Sequence, residues 1–186
     1  NRNPTFLILT VRFNQKKMKI RIVTYMIISS FLLGCYKPEK EHEFYSLIGL
    51  SNNNVKILNL KKELGELSDS SSYSDSFYLS YLDKGISLQF NENEELDVIH
   101  IYSKNQDGFH QYEGIIPYKI EFTDNIMNLR EKIGSDEDGS LPFPTYNKTK
   151  WSAKGIQFNI LPENNSNKNN ILSISLTKPE MKKKEE

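Results

Sequence analysis

The sequence lacks most of the raw material of catalysis and metal binding. One cysteine, Cys35, stands in 186 residues, so no disulfide framework can form within the chain. The three histidines, His42, His100 and His110, are scattered. A zinc site needs three or four ligands brought together, so no metal is expected. No G-x-S-x-G surrounds a serine, and neither G-x-G-x-x-G nor a Walker string occurs. Hence no nucleophile elbow, no nucleotide cradle and no cofactor is expected. Asp136, Glu137, Asp138 and Gly139 carry part of a calcium-loop spacing, but the first ligand pair and the closing Glu are missing. That cluster reads as a solvated acidic turn. These absences predict a protein that is not an enzyme.

Long apolar runs are also missing. The longest useful one, residues 22–33, has 12 residues, well short of the ~20 that cross a bilayer as a helix. Its flanks give it meaning. Lys19 and Arg21 precede it, and Leu32, Leu33, Gly34 and Cys35 close it. A basic start, a short apolar core and a small residue before the boundary are the parts of an export signal. Residues 18–35 resemble a bacterial lipoprotein signal. The resemblance implies cleavage before Cys35 and diacylation of its sulfur, so that the membrane is a partner through the lipid on Cys35. Tyr36 is not Asp, which in such families favours sorting to the outer membrane. Residues 1–17 precede Met18, a plausible translation start, so 1–34 reads as upstream extension plus signal and 35–43 as a tether.

Removing residues 1–34 changes the charge balance. The full chain has 24 basic and 24 acidic residues, but Arg2, Arg12, Lys16, Lys17, Lys19 and Arg21 all lie in that segment. The remaining 152 residues carry 18 against 24, a net charge of −6. No basic stripe remains, which speaks against a nucleic-acid partner. Tyr and Phe contribute 10 residues each, enough apolar and aromatic material for one substantial core or two small linked units.

The order of patterns predicts an α+β fold of two related units, each an N-terminal helix packed on a three-stranded antiparallel meander. In the first, residues 44–109, Asn53 or Asn54 caps a helix with Val55, Ile57, Leu58, Leu60 and Leu64 near helical spacing, ended by Gly65. Residues 68–76 form a polar loop, and strands follow at 77–81, 86–90 and 96–103. In the second, residues 110–178, Thr123 and Asp124 cap a helix through Ile126, Leu129 and Ile133, ended by Gly134. Residues 135–140 are the matching loop, and a segment centred on Trp151 replaces 77–81. Lys154-Gly155-Ile156 repeats Lys84-Gly85-Ile86, and residues 171–174 answer 98–101. Residues 179–186 are a charged tail.

This unit, a helix ending Leu-Gly or Ile-Gly before a Gly-led strand, resembles the repeat of the SmpA/OmlA outer-membrane-assembly lipoproteins and of the β-lactamase inhibitor protein. The Gly-Met helix start and the Gly-x-Pro after the helix, common in the assembly lipoproteins, are absent. The resemblance implies a lipid-anchored protein-binding or inhibitor module of a bacterial envelope. Toxin immunity, host interaction and an envelope hydrolase without a motif are the rival readings. Strand alternation puts Ile99, Ile101, Leu172 and Ile174 toward the core. The opposite face then offers Ser87, Gln89, His100, Tyr102, Gln157, Asn159 and Ser173 as the candidate surface for a protein partner. Phe109, Tyr112, Phe143 and Tyr146 are either anchors or caps on the core.

Overall fold

The computed structural model describes residues 43–135, 137–142, 146–161 and 170–180. The signal, Cys35 and most of the tether, with Asp136, Phe143 and residues 181–186 of the charged tail, lie outside the described residues.

Eight strands form one antiparallel sheet. They are β1 (Asp69–Ser72), β2 (Ser76–Tyr81), β3 (Ile86–Asn91), β4 (Leu96–Tyr102), β5 (Ser140–Pro142), β6 (Asn147–Trp151), β7 (Ile156–Ile160) and β8 (Ile171–Leu176). Their spatial order is β1-β2-β3-β4-β8-β7-β6-β5. Among the described residues two α-helices accompany them, α1 (Val55–Leu64) and α2 (Ile126–Ile133). The expectation of two helix-plus-three-strand units is therefore wrong in two respects.

First, each half contributes four strands. The fourth is β1, inside what reads as the polar loop 68–76, or β5, which starts at the last residue of the matching loop 135–140; an edge strand has little to bury and stays short. Second, β4 and β8 do not end separate sheets. They pair with each other, through Ile99↔Leu176, His100↔Ser175, Ile101↔Ile174 and Tyr102↔Ser173. Left apart, each would expose a long apolar edge.

The halves repeat in detail. A 3-10 turn links β2 to β3 (Leu82–Lys84) and another links β6 to β7 (Ser152–Lys154). Gly85 and Gly155 close them in the left-handed region, at φ 64° and 62°. A Cβ on Gly85 would strike the backbone of His110, and one on Gly155 that of Thr177, so glycine is required on both counts. The middle hairpins share a bulge, between Gln89 and Phe90 and between Asn159 and Ile160.

Register corrects the sequence alignment of the halves. Ile86 faces Ile101, and Leu88 faces Ile99; Ile156 faces Leu176, and Phe158 faces Ile174. The equivalents of Val98, Ile99, His100 and Ile101 are thus Ser173, Ile174, Ser175 and Leu176, two positions beyond the match read from sequence. The bulge also reverses the expected facing of one pair: Ile171 is fully buried, while Leu172 is only partly so. An extra residue at a bulge breaks strict alternation.

The core is a cluster on one side of the sheet. Leu88, Phe90, Leu96, Ile99, Ile101, Trp151, Ile156, Phe158, Ile174 and Leu176 join Ile57 and Leu64 of α1 and Leu129 and Ile133 of α2. Val55 and Leu58 of the expected apolar stripe instead point outward. Asn54 caps α1 as expected. At α2 the cap is Asn125, one residue after Asp124. Asp124 is turned to other work, accepting from the Glu121 N–H and pairing with Lys132 at 2.6 Å.

Candidate functional site

The face of the sheet opposite the core is polar, and pairing orders it into cross-strand rows. One runs Asp69, Ser80, Ser87, His100, Ser175, Gln157, Lys150; a second, shorter one runs Tyr102, Ser173, Asn159, Lys148, Leu141. Tyr78 and Gln89 pair on the same side. All seven residues expected on the binding face therefore share one face, and the two halves present it jointly. They are not equally available. Ser87 and Ser173 are buried, and the other five are half-buried.

His100 sits at the centre. The equivalent of His100 is Ser175, and these two are paired, so the local two-fold relating the halves passes between them. Their side chains are bonded, His100 Nδ1 to Ser175 Oγ at 3.0 Å, and Nε2 reaches Gln89 Oε1 at 3.1 Å. The amide oxygen only accepts, so Nε2 carries the proton and Nδ1 accepts from the serine hydroxyl. Burial, with the nearby Lys148 charge, holds the His100 pKa down at about 4. The ring is neutral at ordinary pH.

Aromatic rings flank it. Tyr78 lies over His100 at 6.1 Å between centroids, with Tyr73 edge-on to Tyr78 at 5.6 Å. Tyr102 is 6.4 Å from His100 on the other side and stacks on Phe109 at 3.8 Å. Phe109 is buried against this face, outside the main core cluster, and it neither stands free as an anchor nor caps that core. Tyr112 tilts against Phe44 at 6.1 Å and packs on the core. Tyr146 is half-buried. Burial, then the charge of Asp107 and the neighbouring Tyr78, pushes the Tyr102 phenol up to about 12.

A Gln–His–Ser chain has the outline of a nucleophile, base and orienting group, so its chemistry needs weighing. Acyl transfer needs donors aimed at the developing oxyanion. Ser175 lies mid-strand with β4 on one side and β7 on the other, so its neighbouring backbone N–H groups are held in the ladder. A base with a pKa of about 4 also removes a serine proton poorly near neutral pH. The arrangement serves as a side-chain clasp across the seam between the halves. Sequence reading placed His100 on this face but missed the clasp, because Ser175 is aligned to it only by the two-residue shift.

The remaining bonds extend the pattern. Asn159 Nδ2 donates to Ser173 Oγ at 2.8 Å, and Ser80 and Ser87 share a bond of 3.2 Å. Asn159 Oδ1 is buried with no hydrogen-bond partner among the described residues. No group of three or more His, Cys, Asp or Glu is placed to hold a metal ion among the described residues. No described helix is long and apolar enough to cross a membrane.

Comparison with known proteins found no match: no family model, no curated protein and no solved structure is significantly similar to the chain. The resemblance to the assembly lipoproteins and the β-lactamase inhibitor protein thus rests on the residues that suggested it.

Proposed function

We propose that the protein is a non-enzymatic binding or inhibitor module, lipid-anchored at Cys35 in a bacterial envelope, that holds a protein partner on the polar face of its sheet. The observation that carries this reading is the face itself. Side chains from both halves line it in continuous rows, rich in amides, hydroxyls and aromatics rather than in a reactive constellation. Tyrosine with adaptable polar neighbours is a composition suited to protein contact. The export-type signal before Cys35 supports the envelope and the lipid, with the outer membrane favoured by Tyr36.

The test uses substitutions outside the hydrogen bonds of the clasp. Gln89 and Tyr102 are poor probes, since one holds His100 and the other stacks on Phe109. Tyr78→Lys and Gln157→Lys come one from each half; neither side chain belongs to the hydrogen-bonded clasp, and because Tyr78 lies over His100 the melting temperature of each single variant is measured first. Partner capture from detergent-solubilised envelopes should be lost in the double variant, with its melting temperature kept. Unchanged capture by a folded double variant refutes the sheet-face reading. Separately, Cys35→Ser should give an unlipidated protein that leaves the membrane fraction; equal membrane fractionation and no mass change on delipidation refute the anchor.

A further inference from the structure

The two halves of the polar face differ in charge, and the difference describes the partner. Where the first half places Tyr78 and Ser80, the second places Lys148 and Lys150. Lys150 is answered within the chain by Glu180, at 2.7 Å. Lys148 has no ion pair among the described residues. Lys148 lies close enough to bear on the protonation of His100 at the centre of the face. Asp69, the acid in the long row, stands at the far edge on β1. Beside Lys148, directly across the strand pair, is Asn159, whose Nδ2 donates to Ser173 Oγ. A cation with no ion pair among the described residues thus stands on one side of a neutral, aromatic centre.

We propose that the second half of this face takes an acidic segment of a protein partner, a carboxylate pairing with Lys148 Nζ. This rests on the sheet-face reading and adds the chemistry of the partner to it. A carboxylate there gains a charge-assisted bond to Lys148. A basic segment would meet Lys148 with like charge. The neutral first half, with Tyr78 over His100, then packs against whatever flanks the acid.

The experiment is an NMR titration of the full chain, ¹⁵N-labelled, at low salt. The probe is a synthetic capped peptide alternating Glu and Thr, and its counterpart has every Glu replaced by Gln. The Glu peptide should shift the amides of Lys148 and Ser173 and the side-chain amide of Asn159. Lys148→Glu should weaken this binding about tenfold or more, and Lys148→Arg should retain it. If both peptides move these residues equally, the carboxylate proposal fails while the sheet-face reading stands. Shifts confined to other surfaces, or no shifts at millimolar peptide, overturn the proposal; the sheet-face reading is then judged by the Tyr78→Lys and Gln157→Lys capture.

Discussion

The two halves of this protein share a backbone and differ in what they show the outside. On the core side the equivalent pairs are Ile86 with Ile156, Leu88 with Phe158, Leu96 with Ile171, Ile99 with Ile174 and Ile101 with Leu176, every one apolar and buried. On the polar side they are Tyr78 with Lys148, Ser80 with Lys150, Ser87 with Gln157, Gln89 with Asn159, Val98 with Ser173 and His100 with Ser175. No pair on that side keeps its residue. The turns that fix the hairpins, with Gly85 and Gly155 in the left-handed region, are kept. Packing and backbone geometry hold the frame, while the outer face is free to carry different chemistry in each half.

The comparison is broken most directly in the core. Leu88 and Phe158 are equivalent and fully buried. Leu88→Ala should cost about 2–5 kcal/mol and Phe158→Ala about 3–5 kcal/mol, from lost burial and the cavity left behind. Because one sheet and one core join the halves, either change should shift a single unfolding transition. Trp151 lies in the second half and is buried, so its fluorescence is the reporter. If Leu88→Ala leaves the Trp151 transition in denaturant unmoved, the halves unfold independently and the seam is not a structural joint.

A pH titration tests the seam at its centre. His100 has a folded pKa of about 4 against 6.5 in the unfolded chain. Between those values the unfolded chain binds the extra proton, so stability rises with pH. The contribution is fully present above about pH 6.5 and is lost as pH falls toward 4. It amounts to about 3 kcal/mol at most. The groups around the ring are Tyr78, Tyr102, Gln89, Ser175 and Lys148, none of them an acid that would offset the charge. Melting temperatures from pH 7 to 4 should fall more steeply in the native protein than in His100→Asn. Parallel curves for the two would show that His100 does not govern this window. The second half offers no counterpart, since Ser175 does not titrate.

Much of this frame could be read from residues alone. Apolar periodicity located both helices and the six inner strands, because burying one face imposes a period on the sequence. Gly65, Gly134, Gly85 and Gly155 marked the ends and turns. Three things were hidden. The edge strand at 69–72 is all polar, and the one at 140–142 is only three residues, Ser-Leu-Pro, with Leu141 exposed, because an edge strand buries little. Pairing of β4 with β8 leaves no mark in either strand, since an apolar strand looks the same whether it ends a sheet or joins two. The bulges shift alternation by one residue, which placed Leu172 wrongly and obscured Ile171. The candidate face suffered less: parity kept Ser173 and Gln157 on the correct side even though the alignment slipped by two. What parity cannot give is contact, so the His100 clasp and the stacking of Phe109 on Tyr102 became visible only with the fold.

The smallest effect expected between the halves concerns the helix starts. Asn54 accepts one backbone bond, from the Lys56 N–H at 3.0 Å. Asn125 accepts two, from the Met127 N–H at 2.9 Å and the Asn128 N–H at 3.0 Å, and its own N–H donates to Asn128 Oδ1 at 3.1 Å. The reciprocal arrangement satisfies more of the orphan donors at a helix start. α2 is also the shorter helix, 8 residues against 10, so it has fewer internal bonds to spare. Replacing a capping Asn by Ala costs about 0.5–2 kcal/mol. Asn125→Ala should fall near the upper end and Asn54→Ala near the lower. Both are read from denaturant midpoints at constant slope. Equal costs would mean that α1 relies on its cap as much as α2 does, and that the reciprocal bond to Asn128 contributes nothing measurable. A larger cost for Asn54→Ala would reverse the comparison. It would make the entry to α1, where Lys61 reaches back to the Asn52 carbonyl at 3.4 Å, the more demanding of the two helix starts.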